Sequence, residues 1–388
     1  MNLTGRHPHR GLRRVAFLVH LALGLGTGLW LVLVSLTGSL IVFRAELEAA
    51  LHPGLTRVPA GAGRAPLQPM LDGARTAFPG ATFHTVNLPT EPGGTVSFWG
   101  HDAAGRSFHA YANPHTGEPL GSDLADDNLT EWLYLFHAQL LGGGLGEQIN
   151  GLGAILWVAV IVTGLILWWP RTGRTWLDGM RVRWSAGGPR RNYDLHRAVG
   201  FWAALPLLLV VVTGAYFPFK APFRWLAETV TGTAATEDSP ARLPTLPATP
   251  NVSLDTVLTI ASAVLPEVPA NWIHLPADGS DVFSVRKRLP GEWRLEGANY
   301  VHVDPASGTL LRTDLQAARS PAQRLLGAMF PLHVGTFAGP LSRILWAVLG
   351  LVPALLFGTG FLLWRRRTRD VRGPAAVGDN PQPTPTQT

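Results

Sequence analysis

The most constraining feature of the chain is a pair of apolar runs that superimpose without a gap. Residues 19–43 read VHLALGLGTGLWLVLVSLTGSLIVF and residues 195–217 read LHRAVGFWAALPLLLVVVTGAYF. His20 falls on His196, Gly24 on Gly200, and Thr37-Gly38 on Thr213-Gly214. Two further apolar runs share a second pattern: the interval from His137 to Thr163-Gly164 recurs from His333 to Thr359-Gly360. The chain therefore reads as two copies of one unit, each with one histidine early in its first run and another ahead of its second.

Each run is long enough for a bilayer core of about 30 Å at about 1.5 Å rise per residue. Hydrophobic residues make up 46% of the sequence and charged residues only 15%, the balance of a membrane protein. The expected spans are residues 15–43, 149–169, 195–217 and 341–364. Arginines 6, 10, 13 and 14 precede the first span. Six more, from 171 to 191, lie between the second and third, and five, from 365 to 372, follow the fourth. By the positive-inside rule the N-terminus (1–14), the loop 170–194 and the tail 365–388 are cytoplasmic, and 44–148 and 218–340 are outside. The net charge of +6 is thus placed where topology needs it and does not call for nucleic acid. The first run is too long for a signal h-region and has no small-residue cleavage site before Arg44, so it is expected to be retained. With no cysteine, disulfides, thiolate-ligated clusters and thioether-attached haem are excluded.

The outer segments repeat as well. Helical spacing over 66–78 precedes strand-like alternation at 83–88, 96–99 and 108–112 and the turn Asn113-Pro114-His115-Thr116-Gly117. The second segment has helical spacing over 254–265, strands at 272–275, 282–286 and 300–303, and the turn Asp304-Pro305-Ala306-Ser307-Gly308. Each is expected to be a small α+β module, one helix on a short antiparallel sheet. The fold class is therefore a mainly α membrane protein with four transmembrane helices. These form two parallel span–module–span repeats about an axis along the membrane normal. The tail from Gly373 is poor in large apolar residues and is expected to be disordered.

An ionisable side chain in a span is a functional hypothesis by default. His20 and His196 lie near the inner edge, while His137 and His333 lie near the outer edge, on short helices or turns set off by Gly142–Gly144 and by 335–340. Sharing is possible only within a level, so His20 pairs with His196 and His137 with His333. Two facing neutral imidazoles in a helix bundle suit a b-type haem, giving two haem b in all. Zinc or copper would be short of protein ligands with two histidines, whereas a porphyrin brings four nitrogens of its own. Gly24, Gly28, Gly200 and Ala203 or Ala204 are expected to make room beside the inner pair. The other histidines (7, 9, 52, 84, 101, 109, 115, 274 and 302) do not repeat at matching offsets and are read as surface residues.

Other signals have plainer explanations. Trp168-Trp169-Pro170-Arg171 and Trp364-Arg365-Arg366 fit interfacial anchoring. The four Thr-Gly pairs fit close helix approach with back-bonding to a carbonyl. Arg286-Lys287-Arg288 could attract an anion, but protection of an edge strand accounts for them better. No Ser-His-Asp set, HExxH or phosphate loop is present.

Taken together, several motifs resemble the PepSY-associated transmembrane proteins of the bacterial inner membrane, over about residues 12–368. They are the H-x-x-x-G openings, the Thr-Gly closings, Leu140-Leu141-Gly142, Leu332-His333-x-Gly335-Thr336-Phe337, W-W-P-R and the N-P-x-T-G and D-P-x-S-G turns. The resemblance implies PepSY-like modules and a di-haem reductase that passes electrons outward to a ferric siderophore or other ferric chelate. His20, His196, His137 and His333 would be the iron ligands, and the electron donor would be an unidentified cytoplasmic or membrane species. Phe136 stands where many relatives carry a second histidine. The PepSY module is also associated with peptidase inhibition. The competing expectation is therefore a membrane-anchored binding module that restrains a peptidase or senses a ligand, its histidines structural.

Overall fold

The computed structural model describes residues 8–124, 128–170, 175–235, 251–276 and 282–371. The tail expected to be disordered, His7, Arg6, Arg171, Arg174 and Arg372 lie outside the described residues, as do the side chains of His9 and Arg10. The chain forms two compact units, one of residues 1–32, 159–205 and 352–388, the other of 33–158 and 206–351.

Among the described residues three helices are long and apolar enough to cross a membrane: Gly143–Trp168, Gly188–Tyr216 and Gly339–Arg369. In their most apolar windows only 28%, 33% and 11% of residues are buried against protein, so most of that apolar surface needs lipid. The first run was expected as one uninterrupted span. It is instead a pair, Gly11–Gly26 and Gly28–Ile41, bent by 60°. The break falls at Thr27, between two glycines that favour the helix poorly. The Thr27 hydroxyl donates to the carbonyl of Leu23 at 2.8 Å, and the Phe357 ring occupies the space a Cβ on Gly28 would need.

In the first unit, arginines close the C-terminal end of the helix Gly143–Trp168. Arg13 donates to the carbonyls of Leu167 at 2.6 Å and Trp169 at 3.2 Å, and Arg197 to that of Trp168 at 3.0 Å. Cations there satisfy last-turn carbonyls and oppose the helix dipole. Interfacial anchoring describes Trp169, which is exposed, but not Trp168. Trp168 is buried, stacks on Phe201 at 4.0 Å and donates from Nε1 to the Gly179 carbonyl at 3.0 Å.

The second unit is built on one antiparallel sheet of eight strands: β1 Thr82–Asn87, β2 Val96–His101, β3 Ser107–Ala112, β4 Pro119–Leu124, β5 Ala270–His274, β6 Phe283–Lys287, β7 Asn299–Val303 and β8 Leu310–Asp314. Their order is β4-β3-β2-β1-β5-β6-β7-β8. The modules expected as separate sheets are therefore joined through β1 and β5, in the register Thr85↔His274, Val86↔Ile273 and Asn87↔Trp272. Pairing these strands removes two edges that would otherwise expose unpaired backbone. It also leaves β6 internal, so edge-strand protection does not explain Arg286-Lys287-Arg288. Lys287 is fully buried and its ammonium donates to the Leu265 carbonyl at the end of the helix Leu254–Val264, at 2.6 Å. Strands β4 and β8 were not legible in the sequence because they are half-exposed outer strands without apolar alternation.

The helices Leu67–Ala77 and Leu254–Val264 cover one face of the sheet with a common core that includes Leu67, Leu71, Val86, Phe98, Leu254, Val257, Ile273, Val285 and Val301. Their N-termini cap each other. The Asp255 carboxylate accepts from the backbone N–H groups of Leu67 at 2.8 Å and Gln68 at 3.0 Å, and the Gln68 amide oxygen accepts from Leu254 N–H at 3.1 Å. Helix Leu67–Ala77 has no capping side chain of its own, so Asp255 satisfies donors that would otherwise be orphaned. Asp255→Ala should destabilise the sheet unit by about 1–2 kcal/mol. This can be read in chemical unfolding of the purified chain followed by tryptophan fluorescence; an unchanged midpoint would remove the shared cap from the account.

Candidate functional site

The four histidines fall into two pairs, each within one unit. His20, on the helix Pro8–Gly26, has its ring centre 6.2 Å from that of His196, on the helix Gly188–Tyr216, with planes at 85°. His137, on the helix Leu129–Gln139, lies 6.0 Å from His333, on Met329–Val334, with planes at 46°. These are the two pairs expected from depth and repeat position. Both short helices end in left-handed backbone, at Leu140 and Leu141 (φ 49° and 59°) and at Gly335 (φ 78°), which turns the chain before the next apolar helix.

One local arrangement holds all four. His20 Nδ1 lies 3.0 Å from the Val160 carbonyl and 3.4 Å from Thr163 Oγ1. His137 Nδ1 lies 2.9 Å from the Val34 carbonyl. His333 Nδ1 lies 3.0 Å from the Val210 carbonyl and 3.2 Å from Thr213 Oγ1. His196 Nδ1 lies 2.9 Å from Thr359 Oγ1, with the Leu356 carbonyl as its backbone acceptor. Each acceptor carbonyl stands three residues before a Thr-Gly pair. Each of those threonines donates its hydroxyl back into its own helix: Thr37 to Val34, Thr163 to Ala159, Thr213 to Leu209 and Thr359 to Leu355. A carbonyl can only accept, and a threonine oxygen whose proton is already committed also accepts. Nδ1 must therefore carry the imidazole proton, and Nε2 is left with a free lone pair, the condition for a metal-ligating histidine.

The glycine after each threonine makes room for the ring. A Cβ on Gly38 would lie 2.7 Å from Cε1 of His137. On Gly164, Gly214 and Gly360 it would lie 3.1, 3.1 and 3.2 Å from Cε1 of His20, His333 and His196. The Thr-Gly pairs do back-bond as expected, but what approaches them closely is an imidazole. Of the glycines expected to make room beside the inner pair, Gly24 faces open space and Gly200 meets only Leu356, whereas Gly28 faces the Phe357 ring. The signal that could have found the seat was the recurrence of each Thr-Gly at a fixed interval from histidine in the equivalent run, from His20 to Thr37 as from His196 to Thr213 and from His137 to Thr163 as from His333 to Thr359.

The geometry can be set against a bound metal. An imidazole nitrogen sits about 2.0 Å from a first-row metal ion and about 1.1 Å from its ring centre, so two imidazoles on opposite sides of one ion stand about 6.2 Å apart, centre to centre. The observed 6.2 and 6.0 Å fit that arrangement. Among the described residues no group of three or more His, Asp or Glu is placed to hold a metal ion. The pairs suit an ion whose other ligands come with a cofactor.

Two of the histidines read as surface residues are in fact buried, on the face of the sheet away from its helices. His109 Nδ1 lies 3.2 Å from an Asp123 oxygen, and His302 bridges Ser284 (2.8 Å) and Asp314 (3.0 Å). Burial first, then the positive charge of Arg286, holds His274 down to about 4, so it is neutral over the physiological range. Phe136 stacks on Trp132 at 5.4 Å.

The seat makes a test possible without any ligand. Gly38→Ala should displace the His137 ring or cost about 1–3 kcal/mol, whereas Gly24→Ala should be close to neutral. Thermal unfolding of the two variants in detergent compares them, and equal effects would refute the role given to Gly38.

The sequence profile described as PepSY-associated TM region matches residues 17–367. A protein of Pseudomonas aeruginosa (strain PAO1) described as "Uncharacterized protein PA4219" is 27% identical over 254 residues, 60% of this chain. The match spans 62% of that relative's length, less than two thirds. With the profile running through all four apolar stretches and the sheet between them, the chain belongs to the PepSY-associated transmembrane family.

Proposed function

We propose that the protein is a two-haem b electron carrier of the bacterial inner membrane that reduces a ferric chelate, a ferric siderophore, on the outer side. His20 and His196 would hold the inner haem iron, and His137 and His333 the outer. The observation that carries this reading is the fourfold seat: an imidazole proton fixed on Nδ1, a free Nε2, and pairing at 6.2 and 6.0 Å. A hydrogen-bonding histidine at a membrane edge has no need of the same tautomer four times over. Haem supplies the one-electron chemistry when bound.

The chain's own part is to position and to insulate. The Thr-Gly seats orient each ring and raise its basicity through Nδ1. The apolar helices keep water and ions from the site, and the arginine bias supports both termini and the loop 170–194 inside, with the sheet outside. Reduction weakens the hold of hard oxygen ligands on iron, which releases the metal from the chelate.

Two experiments test this. The purified chain should carry two b haems by pyridine haemochrome. His20→Ala or His196→Ala should strip a ligand from one of them while the other stays six-coordinate. His137→Ala or His333→Ala should do the converse, with roughly tenfold or greater loss of occupancy at the damaged site. A colourless preparation from haem-replete cells would overturn the reading and favour a membrane-anchored peptidase-regulating or ligand-sensing module. For orientation, reporter fusions at Gly105 and Gly291 should read as exported and one at Gly179 as cytoplasmic; the reverse would exchange the donor and acceptor sides.

A further inference from the structure

The face of the sheet away from its two helices is lined by polar and aromatic side chains. On β5, β6 and β7 the register sets Trp272 beside Arg286 beside Tyr300, and His274 beside Ser284 beside His302. Their neighbours in sequence, Ile273, Val285 and Val301, point into the helix-covered core, so alternation puts these six on the opposite face.

Arg286 stands out among them. It is 6% exposed, on an internal strand, with its guanidinium carbon 4.6 Å from the centre of the Trp272 ring. Tyr300 is its hydrogen-bonding neighbour. Its Nε and the indole Nε1 of Trp272 are buried without a hydrogen-bond partner, and among the described residues no carboxylate forms an ion pair with it. The contrast with nearby arginines is direct: Arg312 is paired with Asp314 at 2.7 Å and Arg294 with Glu296 at 3.4 Å. An arginine keeps its charge even where burial lowers its pKa, and a buried charge with no counter-charge is strongly unfavourable. The guanidinium, indole N–H and phenol can all donate, and the Glu296 carboxylate, whose charge reaches Arg286, is paired with Arg294 instead.

The same unit ties this face to the outer histidine pair. Arg294, one of the charges Arg286 feels, has its guanidinium carbon 5.0 Å from the centre of Phe330. Phe330 meets Phe217 at 6.3 Å, and Phe217 meets His333 at 5.3 Å.

We propose that Arg286, with Trp272 and Tyr300, is the seat of a negatively charged ligand. On the function proposed above, which this step rests on, that ligand is an anionic ferric chelate whose carboxylate or catecholate oxygens lie against the guanidinium. A planar guanidinium braced on an indole presents paired N–H donors in one plane, which matches two adjacent anionic oxygens.

Gallium(III) complexes test binding apart from reduction. The purified full-length chain is titrated with a gallium tricatecholate, which is anionic, and with a gallium complex of a linear cationic trihydroxamate, following tryptophan fluorescence. The anionic complex should bind in preference. Arg286→Gln should weaken it by roughly tenfold or more, Arg286→Lys should weaken it less, and neither should alter binding of the cationic complex or the haem spectrum. Equal binding of the two complexes by the unmodified chain, or an Arg286→Gln variant that holds the anion as tightly, overturns the proposal. Should Arg286→Gln fail to fold, the preference of the unmodified chain and a weakened Tyr300→Phe variant decide it by the same criteria. Haem is counted on the same samples. Two haems with no anion preference sink this inference alone. Anion binding by a haem-free chain sinks the electron-carrier reading and the chelate assignment but leaves an anion site at Arg286.

Discussion

The structure of both histidine sites depends on one hydrogen bond, from an imidazole Nδ1 to a carbonyl on a neighbouring apolar helix. In lipid that carbonyl would normally be used up within its own helix. It can take a second donor because a carbonyl oxygen has two lone pairs. The back-bonding threonine shares the same turn, and the following glycine leaves the groove open. The bond does three things together: it satisfies a polar group that is expensive to bury, locks the ring's orientation and selects its tautomer. Loss of the carbonyl's register by a single residue would turn the ring away.

The sheet solves a different problem. Two short modules, each with an open edge, gain from lying side by side, and the reciprocal caps at Asp255 and Gln68 bring their helices into the same register. The core beneath is continuous, from Leu67 and Phe98 on one side to Val257 and Val301 on the other. The opposite face is left to polar and aromatic side chains. Most of its charges find partners, as His109 does with Asp123 and His302 with Asp314. Arg286 has none.

Much of this was legible beforehand, and the rest was hidden for physical reasons. The pairing of His20 with His196 and of His137 with His333 followed from depth and repetition, because a polar residue in an apolar run is conspicuous. The module helices and six of the strands followed from apolar periodicity. The outer strands β4 and β8 did not, because a half-exposed strand has no alternation to read. Nor did the joining of the two modules, since β1 and β5 carry the same pattern whether they face water or each other. The bend at Thr27 lies where Phe357, from elsewhere in the chain, packs against Gly28. Edge-strand protection was the wrong reading of Arg286-Lys287-Arg288 because the place of β6 in the sheet is set by long-range pairing, which a run of three basic residues does not reveal.

The join between β1 and β5 has a further consequence. Counting from the two Pro-Gly turns, Thr85 corresponds to Trp272, Val86 to Ile273 and Asn87 to His274. The observed partners are Thr85 with His274, Val86 with Ile273 and Asn87 with Trp272. The pairing is therefore self-complementary, with a local dyad passing between Val86 and Ile273. This is the geometry of an isologous contact, in which each surface is used once by each copy. The sheet thus has the symmetry of a homodimer written into a single polypeptide. Covalent linkage of the halves removes the concentration dependence of such an assembly, and it also frees the two copies to diverge. The lone arginine on β6 has Trp99 at its counterpart on β2, a difference that two identical subunits could not have held.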